Sequence, residues 1–436
     1  MSLAEQNPPL GKICTLKHTP RAIIFFFDGW LSVSSSVLGA IRELQNRGYI
    51  VEVFITRPII DILPAVLPES VIVHEHVPRT RAIMAPALEW LRRRRMKRLS
   101  QVSSTDNVRR GNMRLRAIAK GIREFLEVPQ FALFCWRRVR IPDLAIAVDM
   151  NSLAAMDFVL PRTVPFLYWG LEVTMLGEVR DPFTRWMKLH ELKRLNEARA
   201  VINQGPVRRA LLEQDLGMPI ARYVEVPNAP SQPMPEDLAD NFFTSRLPIP
   251  PDSWIVLHSG FISTSLLSLE IAGTVATWPK DFVLVYHERQ LRDPREPYIQ
   301  AVRDAGGERT FFSLNPVPIA DVDRVYAGAD IGLVCYETAE LNKTLAWASS
   351  GKLPYYLRHG MPIIIVTPEC PSLISDWQCG VWVVDVSQLS KALATIASDY
   401  AGYSQRARKA YKAIYDFSAA FERLEAAICS EAEREF

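Results

Sequence analysis

Ser349-Ser350-Gly351-Lys352-Leu353-Pro354-Tyr355-Tyr356-Leu357-Arg358-His359-Gly360-Met361-Pro362 runs directly into Ile363-Ile364-Ile365-Val366. Locally this reads as a small-residue loop, a two-turn helix, a glycine stop and a buried strand. Ser350 and Gly351 fall where the helix begins, so backbone N–H groups and the positive end of the helix dipole face the preceding loop. Lys352 adds a mobile cation, and together these suit a phosphate or diphosphate. Gly360 ends the helix, Pro362 blocks its continuation, and the apolar run enters a sheet. The stretch is not a P-loop. That motif needs Gly five residues before Gly351 and Ser or Thr after the Lys, where this chain has Ala346 and Leu353.

A chain of 436 residues is too long for one compact core and implies at least two domains. Hydrophobic residues make up 48% and charged residues 23%, the balance of a globular protein. The six cysteines (Cys14, Cys135, Cys335, Cys370, Cys379, Cys429) are scattered without a C-x-x-C pair, so they read as reduced thiols and not as a disulfide frame or zinc site. No apolar run approaches the roughly 20 residues of a membrane span, and Met1 to Pro20 lacks a signal pattern. The expectation is a cytoplasmic protein.

Alternating strand and helix patterns fill the rest. Ala22 to Phe27 reads as a buried parallel strand ended by Asp28-Gly29, Ser34 to Asn46 as a helix, and Tyr49 to Ile55 as a second strand. A strand ending in Asp also suggests a haloacid-type phosphatase, but its second Asp would fall at Trp30. Val71 to Val77 carries His74 and His76 on one face with no third ligand nearby, which favours a solvated strand over a metal site. Asp143 to Asp149 and Val164 to Trp169 are further strands, flanking a helix at Ser152 to Leu160. Lys188 to Ala198 is a charged amphipathic helix. Ala200 to Gly205 and Tyr223 to Ala229 follow as strands, with a helix from Val207 to Leu216 between them. Pro230, Pro233, Pro235, Pro248, Pro250 and Pro251 mark a linker. Trp254 to His258 then opens a second α/β unit, with strands at Phe282 to Tyr286, Thr310 to Phe312, Ile331 to Cys335 and Gly380 to Val384.

Three stretches resemble one family. The pattern small-small-Gly-Lys-Leu-x-x-Tyr at 349–356, the Val-Glu-Val-Pro-Asn close at 224–228, and Asp321-x-x-Arg-Val-Tyr-Ala-Gly-Ala-Asp330 are similar to elements of GT-B glycosyltransferases, notably family 4-like (group 1) enzymes. The Lys and Tyr also resemble those of the membrane-associated xanthan-type glucuronosyltransferases. The resemblance implies an α/β GT-B fold, two Rossmann-like domains facing a central cleft. Their expected limits are 1–229 for an acceptor domain, 230–252 for the linker and 253–400 for a nucleotide-sugar domain, with a terminal helix at 401–436 packing back toward the first domain. It further implies a nucleotide-sugar donor, such as a UDP- or GDP-sugar, held by Ser259, Gly260, Tyr336, Glu337, Ser350, Gly351, Lys352, Leu353, Tyr355 and Tyr356, with no permanently bound cofactor and no metal. Glu172 and Asp149 would stand at strand ends facing the cleft, where either could be the general base for an acceptor hydroxyl; Asp149 could equally cap a helix.

The chain departs from the family at a known place. Retaining members carry two Glu eight residues apart, at positions that here hold Trp347 and Tyr355, so their mechanism does not carry over. Asp321-x-Asp323 begins a helix and is not a strand-end metal motif.

Charge is unevenly spread. Between Arg79 and Arg140 seventeen Lys/Arg face four acids, a surplus of +13, so the remainder sums to −10 against a total of +3. Trp90 stands beside Arg92, Arg93, Arg94, Arg95, Lys97 and Arg98, an apolar anchor next to cations. That composition fits an anionic membrane surface, hence peripheral attachment at the inner face of the membrane and a lipid-linked or saccharide acceptor. Nucleic-acid binding is the rival for such charge, but no nucleic-acid module is recognisable and none is expected as a partner. A GT-B-fold sugar-nucleotide epimerase and a non-catalytic scaffold are the alternatives to a transferase.

Overall fold

The computed structural model of the protein describes residues 18–57, 67–80, 106–235, 238, 241–337 and 346–432. Two wholly parallel sheets organise them. The first contains β1 (Arg21–Phe26), β2 (Ile50–Thr56), β3 (Ile72–His76), β4 (Leu144–Val148), β5 (Phe166–Trp169), β6 (Ala200–Asn203) and β7 (Tyr223–Glu225), in the order β3-β2-β1-β4-β5-β6-β7. The second contains β8 (Trp254–Gly260), β9 (Phe282–Glu288), β10 (Thr310–Ser313), β11 (Ile331–Cys335), β12 (Ile363–Val366) and β13 (Gly380–Val383), ordered β10-β9-β8-β11-β12-β13. In each sheet the strand order reverses beside the first strand, which opens a crevice at the C-terminal strand edge.

The central strands are apolar on both faces because helices cover both faces. In β1, Ala22, Ile24 and Phe26 join one cluster with Val37, Leu38, Ile41 and Leu44 of helix Ser35–Asn46, while Ile23 and Phe25 join another with Phe131, Leu153 and Met187. The second sheet repeats the scheme, with Tyr356 and Leu357 on one side and Ile271 and Leu393 on the other.

Some expected boundaries shift for local reasons. The strand expected to reach Asp149 stops at Val148, because Asp149 has φ 61° and turns the chain at once into helix Asp149–Val159. The charged helix expected at 188–198 is Pro182–Arg194 instead: Asp181 accepts the Thr184 N–H at 2.8 Å and Pro182 opens the first turn. His74 lies stacked on Phe54 with Nε2 3.0 Å from Glu52, and among the described residues no metal-binding group of His, Cys, Asp or Glu is assembled. Nor is any described helix long and apolar enough to cross a membrane. Trp90, Arg92, Arg93, Arg94, Arg95, Lys97 and Arg98 lie outside the described residues.

The end of the chain ties the units together. Helix Tyr400–Ile414 packs Ala407 and Ala410 into the second unit, and helix Phe417–Ala432 then crosses back. Phe417, Ala420, Phe421 and Leu424 enter the first unit's core, and Arg47 Nε donates to Glu425 at 2.8 Å. Gly39 makes room for this: a Cβ there would stand 2.5 Å from the Phe417 ring. Gly39→Ala is therefore expected to destabilise the protein by about 1–3 kcal/mol through overpacking, read from denaturant unfolding of the full chain.

Candidate functional site

A cleft of about 560 Å³ lies between the two strand edges, within the size range of small-ligand sites. From the first unit it is lined by Asp28 and Trp30 after β1, Asp149 after β4, Leu171 and Glu172 after β5, and Gln204 and Arg208 after β6. From the second come Ser259, Gly260 and Phe261 at the end of β8, Arg289 after β9, Tyr336 after β11, and Ser350, Gly351 and Lys352.

Lys352 opens the short helix Lys352–Arg358, and only 6% of it is exposed. Its Nζ is buried without a hydrogen-bond partner and lies 5.3 Å from the centroid of the Tyr336 ring. Burial pushes the ammonium down to about 8, with the positive Arg289 adding to the effect and Cys335 opposing it. Arg289 has no carboxylate partner among the described residues, and its Nη2 is 4.0 Å from where a Gly351 Cβ would sit. Arg208 donates to Ser349 Oγ across the cleft at 2.6 Å and is 3.5 Å from Glu172.

The backbone contributes less than expected. The chain enters the Lys352 helix through a 3-10 turn, Ala346–Ser349, so the Ser350 N–H is taken by the Trp347 carbonyl at 3.1 Å. Ser350 instead presents its hydroxyl, which accepts from Tyr336 at 2.8 Å. With the Ser350 N–H used in this way, the side-chain cations are the larger part of the anion-binding capacity here.

Behind this surface, Tyr356 works as a peg. Its hydroxyl donates to the Leu257 carbonyl at 3.0 Å and accepts the Ser259 N–H at 3.2 Å, while its ring fills the space left by Gly332. It fixes the Ser259-Gly260 turn, where Gly260 has φ 125°. Glu288 holds the other end of that loop by accepting the Ile262 N–H at 2.9 Å.

Ser259, Gly260, Tyr336, Ser350, Gly351, Lys352, Asp149 and Glu172 are thus brought together. Leu353, Tyr355 and Tyr356 are not. Leu353 and Tyr356 lie on the side of the helix turned to the sheet and are core residues, and Tyr355 stacks on Tyr326 at 4.9 Å beside Ser35. Glu337 flanks the cleft, with its N–H bonded to the Ser265 carbonyl.

Asp149 does not cap its helix. Its Oδ1 accepts the N–H groups of Leu171 and Glu172 at 2.7 and 3.0 Å, which locks the β5 loop and explains its left-handed backbone. Burial lifts its carboxyl well above the usual carboxylate range, with Glu172 and Asp28 adding to the shift and the two backbone donors opposing it. Glu172, by contrast, has a 69% exposed side chain. Sequence reading missed Arg208, Arg289, Gln204 and Trp30. Their shared signal is position, since each follows the C-terminal end of a buried parallel strand.

Comparison places this architecture among known structures. No family model matches the sequence, and no curated protein matches it. Sucrose-phosphate synthase from Thermosynechococcus elongatus superposes with a TM-score of 0.60 at 15% identity, covering 94% of this chain and 100% of that one. HepE from Anabaena in complex with UDP gives 0.61 at 12% identity, covering 94% and 100%. This chain has the GT-B fold. A Listeria monocytogenes protein described as a candidate UDP-N-acetylglucosamine 2-epimerase gives 0.56 at 11% identity, covering 96% and 98%. GT-B architecture therefore accommodates more than one use of a nucleotide sugar, and at these identities the likeness speaks for fold alone.

The buried ammonium has a consequence for stability. Lys352 holds its proton less tightly when folded (about 8) than when unfolded (10.5), so the unfolded chain binds more protons between those values. Stability of the ligand-free protein is expected to rise with pH through that window, and the cost is fully present below it. Lys352→Met should stabilise the ligand-free protein at pH 7 by on the order of 3 kcal/mol and flatten its pH dependence, measured by denaturant unfolding.

Proposed function

We propose that the protein is a nucleotide-sugar-dependent glycosyltransferase. The observation that carries this reading is the convergence of Lys352, Arg289 and Arg208 on one GT-B cleft, none of them neutralised by a buried carboxylate among the described residues. Buried uncompensated cations are costly, so their natural complement is an anion of at least two charges. A sugar linked through a nucleoside diphosphate supplies that, and the HepE structures hold UDP and UDP-glucose.

The donor diphosphate would lie against Ser350, Gly351, Lys352 and Arg289, with Ser259 and Gly260 at the neighbouring turn. Tyr336 supports both Ser350 and Lys352. As the acceptor oxygen attacks the anomeric carbon, the bond to the distal phosphate oxygen breaks, and the cations stabilise the charge that gathers there. The acceptor proton passes to a carboxylate. Asp149 suits that role best, because burial raises its proton affinity and Oδ2 has no protein partner among the described residues. Glu172 is its neighbour on the same loop, and their order would be settled by the pH profiles of Asp149→Asn and Glu172→Gln.

An acceptor presented at an anionic membrane surface fits the first unit. Helix Asp106–Trp136 exposes Ile122, Phe125, Leu126, Leu133 and Trp136 along one stripe, and Trp186 is 56% exposed on the neighbouring helix. Exposed Arg137, Arg138 and Arg140 follow that stripe. Apolar anchors next to cations suit anionic lipid.

Calorimetry with UDP, GDP and ADP, with Lys352→Ala beside the wild type, tests the donor site. Micromolar binding of one nucleotide, weakened at least tenfold in the variant, is expected; no binding of any would sink the assignment. Conversion of the donor sugar to its epimer with no acceptor present would favour the epimerase reading. Co-sedimentation with anionic but not zwitterionic vesicles, reduced by Phe125→Ser and Trp186→Ser, is the matching expectation for the membrane face.

A further inference from the structure

Among the described residues, Arg208 is the one cation lining the cleft that comes from the first unit. It stands in the first turn of helix Pro206–Leu216, immediately beyond β6, and is 7% exposed. Its Nη2 reaches across to Ser349, the residue that precedes Ser350-Gly351-Lys352, while Nη1 is buried and has no hydrogen-bond partner. Glu172 is the carboxylate beside it, at 3.5 Å, but that side chain is mostly in solvent and screens little of a buried charge. Arg208 therefore sits between the reacting edge of the first unit, marked by Glu172, and the cationic loop of the second.

Resting on the donor reading above, we infer that Arg208 is a ligand of the sugar-bearing phosphate of the donor, so that both domains hold the leaving group. Three features of the geometry support this. The guanidinium offers several donors in a planar fork, of which one is spent on a neutral hydroxyl and one has none. The contact with Ser349 sets Arg208 beside the Ser350-Gly351-Lys352 loop proposed to hold the phosphates. Finally, the charge to be stabilised grows during the reaction: the sugar diphosphate carries two negative charges, and the released nucleoside diphosphate acquires more as the glycosidic bond breaks. A third cation placed at the bond that breaks favours the late state over the bound substrate, which is what a catalytic interaction requires. It also gives the domains a reason to close. With a diphosphate between them, attraction from Lys352 and Arg289 on one side and Arg208 on the other replaces their mutual repulsion.

The full-length protein tests this by calorimetric titration with UDP and with UMP, comparing wild type, Arg208→Ala and Arg208→Lys. Wild type is expected to prefer UDP, and Arg208→Ala to lose roughly tenfold or more in UDP affinity while UMP changes little, so that the UDP-to-UMP ratio falls. Arg208→Lys, which keeps charge but not the fork, should fall between them. Small-angle scattering should show a UDP-induced decrease in radius of gyration in the wild type that Arg208→Ala lacks. Thermal unfolding checks that the variants are folded; if Arg208→Ala is not, the Lys variant carries the comparison. An unchanged UDP-to-UMP ratio in a folded variant overturns the assignment of Arg208 while leaving the donor site intact. Absence of UDP, GDP and ADP binding in the wild type overturns both.

Discussion

A positive charge held out of water without a counter-charge is the constraint on which this molecule turns. The Lys352 ammonium is buried, has no hydrogen-bond partner, and faces Arg289 across the same space. Evolution discards such an arrangement unless something compensates for it, because the desolvation of a cation costs several kcal/mol. Among the described residues no carboxylate compensates for it, and it lines an open cleft between the two units.

The rest of the fold can be understood as support for that charge. Parallel strands direct their C-terminal ends to one edge, and two such edges face one another, so residues far apart in sequence meet in one cleft. Tyr356 pins the Ser259 turn to the second sheet, and Gly332 exists at a size that lets the tyrosine ring in. Asp149 accepts a strained backbone in order to hold the Glu172 loop. Helix Phe417–Ala432 crosses back to the first core and ties the two units together at that end. Tyr356, Gly332 and this helix need touch no ligand, yet each sets where the groups that would touch it stand.

Sequence reading reached the fold because the signals for it are local. Unbroken apolar runs mark buried parallel strands, and the glycine-stopped helix after Ser350 is visible in the order of its residues. It also located Lys352 and the Ser259 turn. It failed where orientation matters: Leu353, Tyr355 and Tyr356 follow Lys352 in one line of text, but the helix turns them into the core. It assigned the Ser350 N–H to a ligand, which the 3-10 turn before the helix has already used. Arg208 and Arg289 were overlooked for the opposite reason. Only their place just after a buried strand distinguishes them in sequence from other arginines, and only the meeting of two sheet edges makes them neighbours of Lys352.

The most direct test is a crystal structure of the wild-type protein grown with UDP. The expected result is a diphosphate in the interdomain cleft, within hydrogen-bonding distance of Lys352 Nζ and the Arg289 guanidinium, with the ribose and base on the second domain. A nucleotide bound elsewhere, or a cleft whose cations stay unoccupied at saturating UDP, GDP and ADP alike, would contradict the account at its foundation.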